Sequence, residues 1–357
     1  MFFLGDKMKN IFLFFFFLAI FSSCELFLGP NPDTSPEKVL KSLWNDFNNI
    51  HAYLDFRMSQ NLEYANWNDV YDKFSSRVDK NTSDDDLFSV CANMLKVLND
   101  SHVGIYSPKG QEGSYKETSR GFDLSLIKKQ LKGGGNDNYL NFVYGTFLSN
   151  PCIGYIFIEA FKDEENLKEN IGWGMAIEKI VKDLSETKAL VLDVRQNRGG
   201  DISIFDSIVS YFTAERKEYI KTCIKNGPGS NNYSSERIHT VYPSKFAYTK
   251  NIVLLTNENS ISAAERFVLA LRTQNHVLHT GKATRGALSI RTTRSMINGW
   301  YYTISSERVT DMQGKVYEGI GIVPDEEHIK EYGTHDEQLE YALYKAHQLS
   351  GCGESHL

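Results

Sequence analysis

Asn251–Thr256 is a short run of aliphatic and β-branched residues, and Ala263, Phe267, Ala270 and Leu271 recur after it at helical spacing. Ser262 falls between the two, where a buried strand turns into a helix. A hydroxyl at such a turn lies beside backbone N–H groups that have no partner within the helix, at the positive end of the helix dipole. Those surroundings stabilise an oxyanion, which makes Ser262 a candidate nucleophile for acyl transfer. The same residues also read as a capping box, Ser262-x-x-Glu265, that would only start the helix. A second turn of this kind follows the buried-strand pattern Ala189–Val194 and contains Asn197-Arg198-Gly199-Gly200-Asp201. Gly199 and Gly200 allow positive φ and let another backbone or a substrate approach closely. Asp193, Arg195 and Asn197 read as residues that hold this turn in shape. The glycines form neither Gly-x-Gly-x-x-Gly nor a phosphate loop, so a nucleotide site has little support. His102 stands at a helix-to-strand junction, off any apolar face.

The elements that must position these groups follow from periodicity. Lys7 and Lys9 precede an apolar run from Ile11 to Phe21 and then Ser22-Ser23-Cys24. That run is too short to span a bilayer but suits a signal peptide over residues 1–23. Small residues before a cysteine resemble a bacterial lipoprotein cleavage site, with Cys24 as the lipidated first residue. Residues 24–35 read as a tether. Ser35-Pro36 then starts a helix, and further helical patterns run through Trp67–Val78 and, after Ser83, Leu87–Leu98. Residues 36–100 are expected to form a helical sub-domain and residues 101–350 an α/β core. Within that core, residues 107–138 and 214–250 are polar and glycine-rich and read as surface excursions. Asn298-Gly299, between Ile290–Ile297 and Trp300–Ile304, is a hairpin signal. A final amphipathic helix contains Leu339, Ala342, Leu343 and Ala346.

Composition bounds the partners. The 357 residues are 41% hydrophobic and 24% charged, with a net charge of −6. Removing residues 1–23 takes away Asp6, Lys7 and Lys9 and moves that charge to −7. Mild acidity argues against nucleic acid as a partner. Cys91, Cys152, Cys223 and Cys352 have no zinc spacing, and an exported chain could pair them in any of three ways. No metal or cofactor is expected.

Three stretches together resemble the C-terminal-processing (tail-specific) and tricorn serine peptidases. They are Leu192-Asp193-Val194-Arg195-x-Asn197-x-Gly199-Gly200, then Ser260-Ile261-Ser262-Ala263-Ala264-Glu265 with Gly281-x-x-Thr284-x-Gly286, and Glu318-Gly319-Ile320-Gly321-Ile322-x-Pro324-Asp325. The resemblance implies a core like that of Clp peptidases and crotonases, with Ser262 as nucleophile. Tail-specific members use a lysine after the Thr-x-Gly motif, but Ala287 stands there, and Lys282 lies nearby but off the motif. The tricorn branch uses a histidine preceded by a serine, plus a late glutamate. Asp100-Ser101-His102 and Glu318 occupy those places, which implies His102 as general base with Ser101 and Glu318 orienting the site.

The chemistry agrees, since a serine hydroxyl needs a base within reach and neutral imidazole suits that task near pH 7. The oxyanion donors would be the N–H of Ala263 and one from Gly199 or Gly200. Too few residues separate His102 from Gly154 for the PDZ domain of tail-specific members. The expectation is an exported, lipid-anchored serine endopeptidase of the cell envelope, acting on peptides or unfolded proteins. The alternatives are a non-catalytic lipoprotein binding apolar ligands or peptides on the same scaffold, and a Ser–Lys enzyme using Lys282.

Overall fold

The computed structural model describes residues 33–113, 122–136, 139, 141–162, 173–327 and 336–352. The signal peptide, Cys24 and most of the tether lie outside them. The described residues open with α1 (Pro36–Ile50), α2 (Leu54–Ser59), α3 (Trp67–Ser75) and α4 (Asp84–Lys96). Pro36 occupies the first turn of α1, where its missing N–H costs nothing. Ser83 caps α4 by accepting the Asp86 N–H, and Asp84, Asp85 and Asp86 sit at the positive end of its dipole. The apolar stripes of these helices (Val39, Leu43, Phe47, Val70, Leu95) pack on Val103, Ile105, Tyr302 and Ile304. Of those residues Ile105 belongs to β1 (Gly104–Ser107), which leads into β2 (Gly110–Gly113).

The stretch expected as a polar excursion after β1 contains β2 and a short helix, α5 (Leu124–Gln130), capped by Asp123. The core then runs through β3 (Phe142–Thr146), β4 (Ile153–Ile158), α6 (Trp173–Asp183), β5 (Ala189–Asp193) and α7 (Ile202–Val209). Residues 214–250, also expected to be irregular, supply β6 (Lys217–Ile224) and β7 (Arg237–Val241). β8 (Asn251–Thr256) feeds α8 (Ala263–Leu271) and β9 (Val277–Gly281). After them come β10 (Arg291–Ser295), β11 (Tyr301–Ser305), β12 (Glu307–Asp311), β13 (Glu326–Glu327) and α9 (Glu337–Ser350).

Six strands form the central sheet in the order β13-β9-β8-β5-β4-β3. Its pairings are parallel except for the antiparallel edge strand β3. Helices cover both faces, which is why β5 is apolar at every position before Asp193. Leu190 and Leu192 face the layer containing α6, α7 and α8, while Ala189 and Val191 face the layer containing α9. Every residue of α8 is buried. Burying Phe267 or Leu271 contributes about 1.5–3 kcal/mol each, so α8 is a rigid mount for the residue at its start.

Two smaller antiparallel sheets, β10-β11-β1-β2 and β12-β6-β7, lie beside the central one. The Asn298-Gly299 hairpin forms with Ser295 opposite Tyr301, and Gly299 has φ +85°. Of the three disulfide connectivities, the observed bond is Cys152–Cys352, while Cys91 and Cys223 are unpaired thiols. The bond ties the end of α9 to the residue before β4 across a sequence separation of 200. In the chain-entropy picture a loop of that size stabilises the fold by about 5 kcal/mol.

Candidate active site

Ser262 ends the turn between β8 and α8 with φ +65° and ψ −122°, a conformation that side chains rarely adopt. Holding a non-glycine residue there costs roughly 1–3 kcal/mol and needs surrounding bonds that over-determine it. Several such bonds are present. The Ile261 N–H donates to the Asn197 carbonyl at 3.0 Å, and Ser260 Oγ donates to the Val194 carbonyl at 2.8 Å. The Ser262 N–H donates to Glu265 Oε2 at 3.1 Å, and the Glu265 N–H donates to the Ser262 carbonyl at 2.9 Å. The Glu265 half of the capping box is therefore present, but the Ser262 hydroxyl makes no capping hydrogen bond, so it remains available to a base.

The glycine turn after β5 packs directly against this one. A Cβ on Gly199 would lie 2.7 Å from Ser262 Cβ and 2.8 Å from the Ala263 nitrogen, so only glycine fits. Asn197 shapes the turn, since its Oδ1 accepts the Gly199 N–H at 2.8 Å. Beneath it, Asp193 binds the Arg195 guanidinium at 2.8 Å and accepts the Tyr155 hydroxyl at 2.9 Å. On the far side, Phe161 donates to the Gly199 carbonyl at 2.9 Å and accepts the Asp201 N–H at 2.7 Å. Gly199 N–H is thus committed to Asn197. The N–H groups of Gly200 and Ala263 have no hydrogen bond among the described residues.

Ser101, His102, Gly200 and Ser262 line one cavity of about 680 Å³. The imidazole reaches it from the other half of the chain, in the turn just before β1. Its main chain is fixed at both ends: the His102 N–H donates to Asp100 Oδ1 at 2.8 Å, and its carbonyl accepts Thr303 Oγ1 at 2.7 Å. His102 is only 6% exposed, and its Nδ1 is buried without a hydrogen-bond partner. Burial lowers its pKa to about 4, with Asp100 pulling upward and Arg291, Arg266 and Arg57 pushing further down. The ring is therefore neutral at pH 7, the state a general base requires.

Asp100 is a positioning residue that sequence reading left without a role. Its Oδ2 binds His51 Nε2 at 3.0 Å, with both side chains fully buried. His51 Nδ1 accepts the Tyr53 N–H at 3.2 Å, so the His51 proton is on Nε2 and is donated to Asp100. Burial alone would raise the Asp100 pKa, but the His51 hydrogen bond and the Arg57 charge bring it well below the usual carboxylate range. The available signal was the Asp-x-His spacing, in which an aspartate side chain binds the N–H two residues on.

Glu318 is also fully buried but does not line the cavity. Its Oε2 accepts the N–H groups of Leu288 at 2.8 Å and Ser289 at 3.2 Å, while Oε1 lies 3.4 Å from Arg57 Nη2. Burial and the neighbouring Asp100 charge push its pKa well up, with Arg57 pulling the other way. Among the described residues its bonds thus run to Arg57 and the main chain, and Ser101 lines the cavity next to the imidazole. Lys282 does not line the cavity, and the Ala287 side chain is buried.

Glu265 explains why the motifs come as a set. Its carboxylate accepts four donors: the N–H of Ser262, Thr284 Oγ1 at 2.7 Å, the Gly286 N–H at 2.6 Å and the Ala287 N–H at 2.7 Å. Thr284 Oγ1 in turn accepts the Ile322 N–H at 2.8 Å. One buried carboxylate and one hydroxyl therefore join the Ser262 turn, the Thr-x-Gly turn and the Glu318–Asp325 loop.

Residues 152–328 match the model of peptidase family S41. The chain belongs to peptidase family S41. Ser262, Gly199, Gly200, Ala263, Glu265 and Glu318 lie within the matched segment, and Ser101 and His102 lie upstream of it. The S41 chain is 28% identical over 147 residues to the carboxy-terminal processing protease CtpB of Bacillus subtilis, covering 41% of this chain and 28% of that protein. It is 30% identical over 176 residues to a CtpA-like serine protease of Staphylococcus aureus, covering 48% and 32%. The matched segment thus spans less than a third of these relatives' length. The crystal structure of a Parabacteroides merdae protein assigned as a peptidase superposes with a TM-score of 0.77 at 24% identity, covering 88% of this chain and 97% of that one. The mixed α/β core with helices before it is therefore a fold this S41 chain shares over nearly its whole described length.

Proposed function

We propose that this S41 chain is a serine endopeptidase that hydrolyses peptides or unfolded proteins through Ser262 and His102. The observation that carries the reading is a single cavity lined by both residues, beside the N–H groups of Gly200 and Ala263, which have no hydrogen bond among the described residues. His102 takes the Ser262 proton as Oγ attacks the scissile carbonyl carbon. The carbonyl oxygen, now negative, is held by the Gly200 and Ala263 N–H groups, each contributing about 3 kcal/mol to lowering the barrier. The imidazolium then protonates the leaving amine, and water activated by the same ring hydrolyses the acyl-Ser262 ester. In this reading Asp100 aims the ring through its main chain. Glu318 and Arg57 set the field beneath Asp100, and Ser101 shapes the wall next to the imidazole.

A fluorophosphonate probe tests the nucleophile. The wild-type chain is expected to be labelled stoichiometrically at Ser262, and Ser262→Ala to take no label. Labelling that persists in Ser262→Ala would overturn the assignment.

We further propose that the chain is exported and anchored in the cell envelope by a lipid on Cys24. The support is the basic, apolar and small-residue order of residues 7–24. Cys24→Ser is expected to move the protein from the membrane pellet to the soluble fraction and to abolish labelling by a palmitate analogue. Unchanged pelleting would refute the anchor.

A further inference from the structure

The cavity that holds Ser262 and His102 has an uneven charge. Lys162, Arg198 and Arg291 line it, and among the described residues its only carboxylate is Glu112. Glu112 is already spoken for, since Lys96 Nζ lies 2.9 Å from its Oε2. The cavity therefore presents a positive interior although the whole chain carries a net charge of −6.

Arg291 is the best placed of these cations. It starts β10 beside β11, whose Thr303 holds the His102 carbonyl. One guanidinium nitrogen, Nη2, donates to the Tyr106 hydroxyl at 2.9 Å. Tyr106 lies flat on Tyr301, with ring centroids 4.6 Å apart and planes 3° from parallel. A stacked tyrosine pair thus orients the guanidinium, while most of its five N–H donors remain for a planar, bidentate acceptor. Lys162 also lines the cavity, one residue after Phe161, which is bonded to the Gly199–Asp201 turn.

We propose that this cavity selects peptides carrying a carboxylate within one or two residues of the scissile bond, and that Arg291 is the residue that reads it. The inference rests on the Ser262 peptidase reading and names the substrate class of that same site. A carboxylate is the group whose geometry a guanidinium fork matches, and the charges of three solvent-exposed cations around the cavity favour it further. The charge is either an Asp or Glu side chain or a free C-terminus, and the two are separable. Arg291 also bears on the base. It is among the groups that depress His102, along with Arg266 and Arg57, while Asp100 opposes them. A substrate carboxylate on Arg291 would offset its field and make the imidazole more basic in the complex.

The test uses the full chain and matched peptides: Asp or Glu against Asn or Gln at each position near the bond, each made as free acid and as C-terminal amide. Wild type is expected to prefer one acidic series by on the order of 10- to 100-fold in kcat/KM. Arg291→Gln is expected to erase that preference, chiefly by raising KM for the acidic series, with fluorophosphonate labelling of Ser262 retained. If the preference follows the side chain, the reader is internal. If it follows the free acid, the site captures a chain end. Equal cleavage of acidic and neutral peptides, or an equal loss for both in Arg291→Gln, overturns the proposal while a labelled Ser262 leaves the peptidase reading standing. Absence of labelling in wild type overturns both.

Discussion

His102→Ala is expected to lower kcat/KM for peptide hydrolysis by on the order of 10⁴-fold or more, since without an acceptor the Ser262 proton has nowhere to go. Lys282→Ala should leave the rate within about threefold, because Lys282 does not line the cavity. The opposite pattern would return the site to a Ser–Lys scheme. The acid limb of the rate profile supplies a second check. The His102 pKa is about 4 in the folded chain, against about 6.5 for an unperturbed imidazole. Its basic form therefore persists as pH falls, and kcat/KM is expected to lose its acid half near pH 4. Stability moves differently. Between about pH 6.5 and 4 the unfolded chain takes up a proton at this residue that the folded chain refuses. Folding is thus unpenalised by this residue above about pH 6.5 and increasingly penalised below it. Initial rates from pH 3.5 to 8, with thermal melts at each pH, separate the two effects. A limb centred near 6.5 in a still-folded protein would contradict the buried-base assignment.

Glu265→Ala is expected to be the most damaging substitution for the fold near the site. It strips the acceptor from Ser262 N–H, Thr284 Oγ1, Gly286 N–H and Ala287 N–H at once. Each orphaned buried donor costs about 1–3 kcal/mol, so the total loss should reach on the order of 4–6 kcal/mol after partial relaxation. Burial already pushes the Glu265 pKa up, with those same bonds opposing the rise. An uncharged isostere is therefore better tolerated than a truncation. Glu265→Gln keeps one acceptor oxygen and should lose about half as much stability. Urea unfolding of the three proteins measures this directly. If Glu265→Ala fell within about 1 kcal/mol of wild type, the carboxylate would not be what joins the turns.

The strand–Ser262–helix turn, the glycine turn and the Asn298-Gly299 hairpin were legible because each is local. A strand pattern, a conformational demand and a turn type all act within a dozen residues. What escaped were features built from distant partners. β6 carries Lys217, Glu218, Lys221 and Thr222, a polar surface that reads as loop until β12, far along the chain, pairs with it. The same holds for His51, Arg57 and Asp100, which sit on separate elements and become a buried charge group only in the fold. Cys152 and Cys352 were one pairing among three until β4 and α9 came together. Glu265 was read as a cap because the loops that supply its other three donors begin nearly twenty residues later.

The pairing of β1 with β11 has a temporal side. His102 and Thr303 are 201 residues apart, and the sheet that seats the imidazole is not complete until residues 301–305 exist. A nascent polypeptide that has left the ribosome only as far as residue 300 already owns the hydroxyl, the imidazole and both amides. It still lacks the strand that fastens one half to the other. On the proposed mechanism such an intermediate has no seated base, and competence is expected only with the closing hairpin.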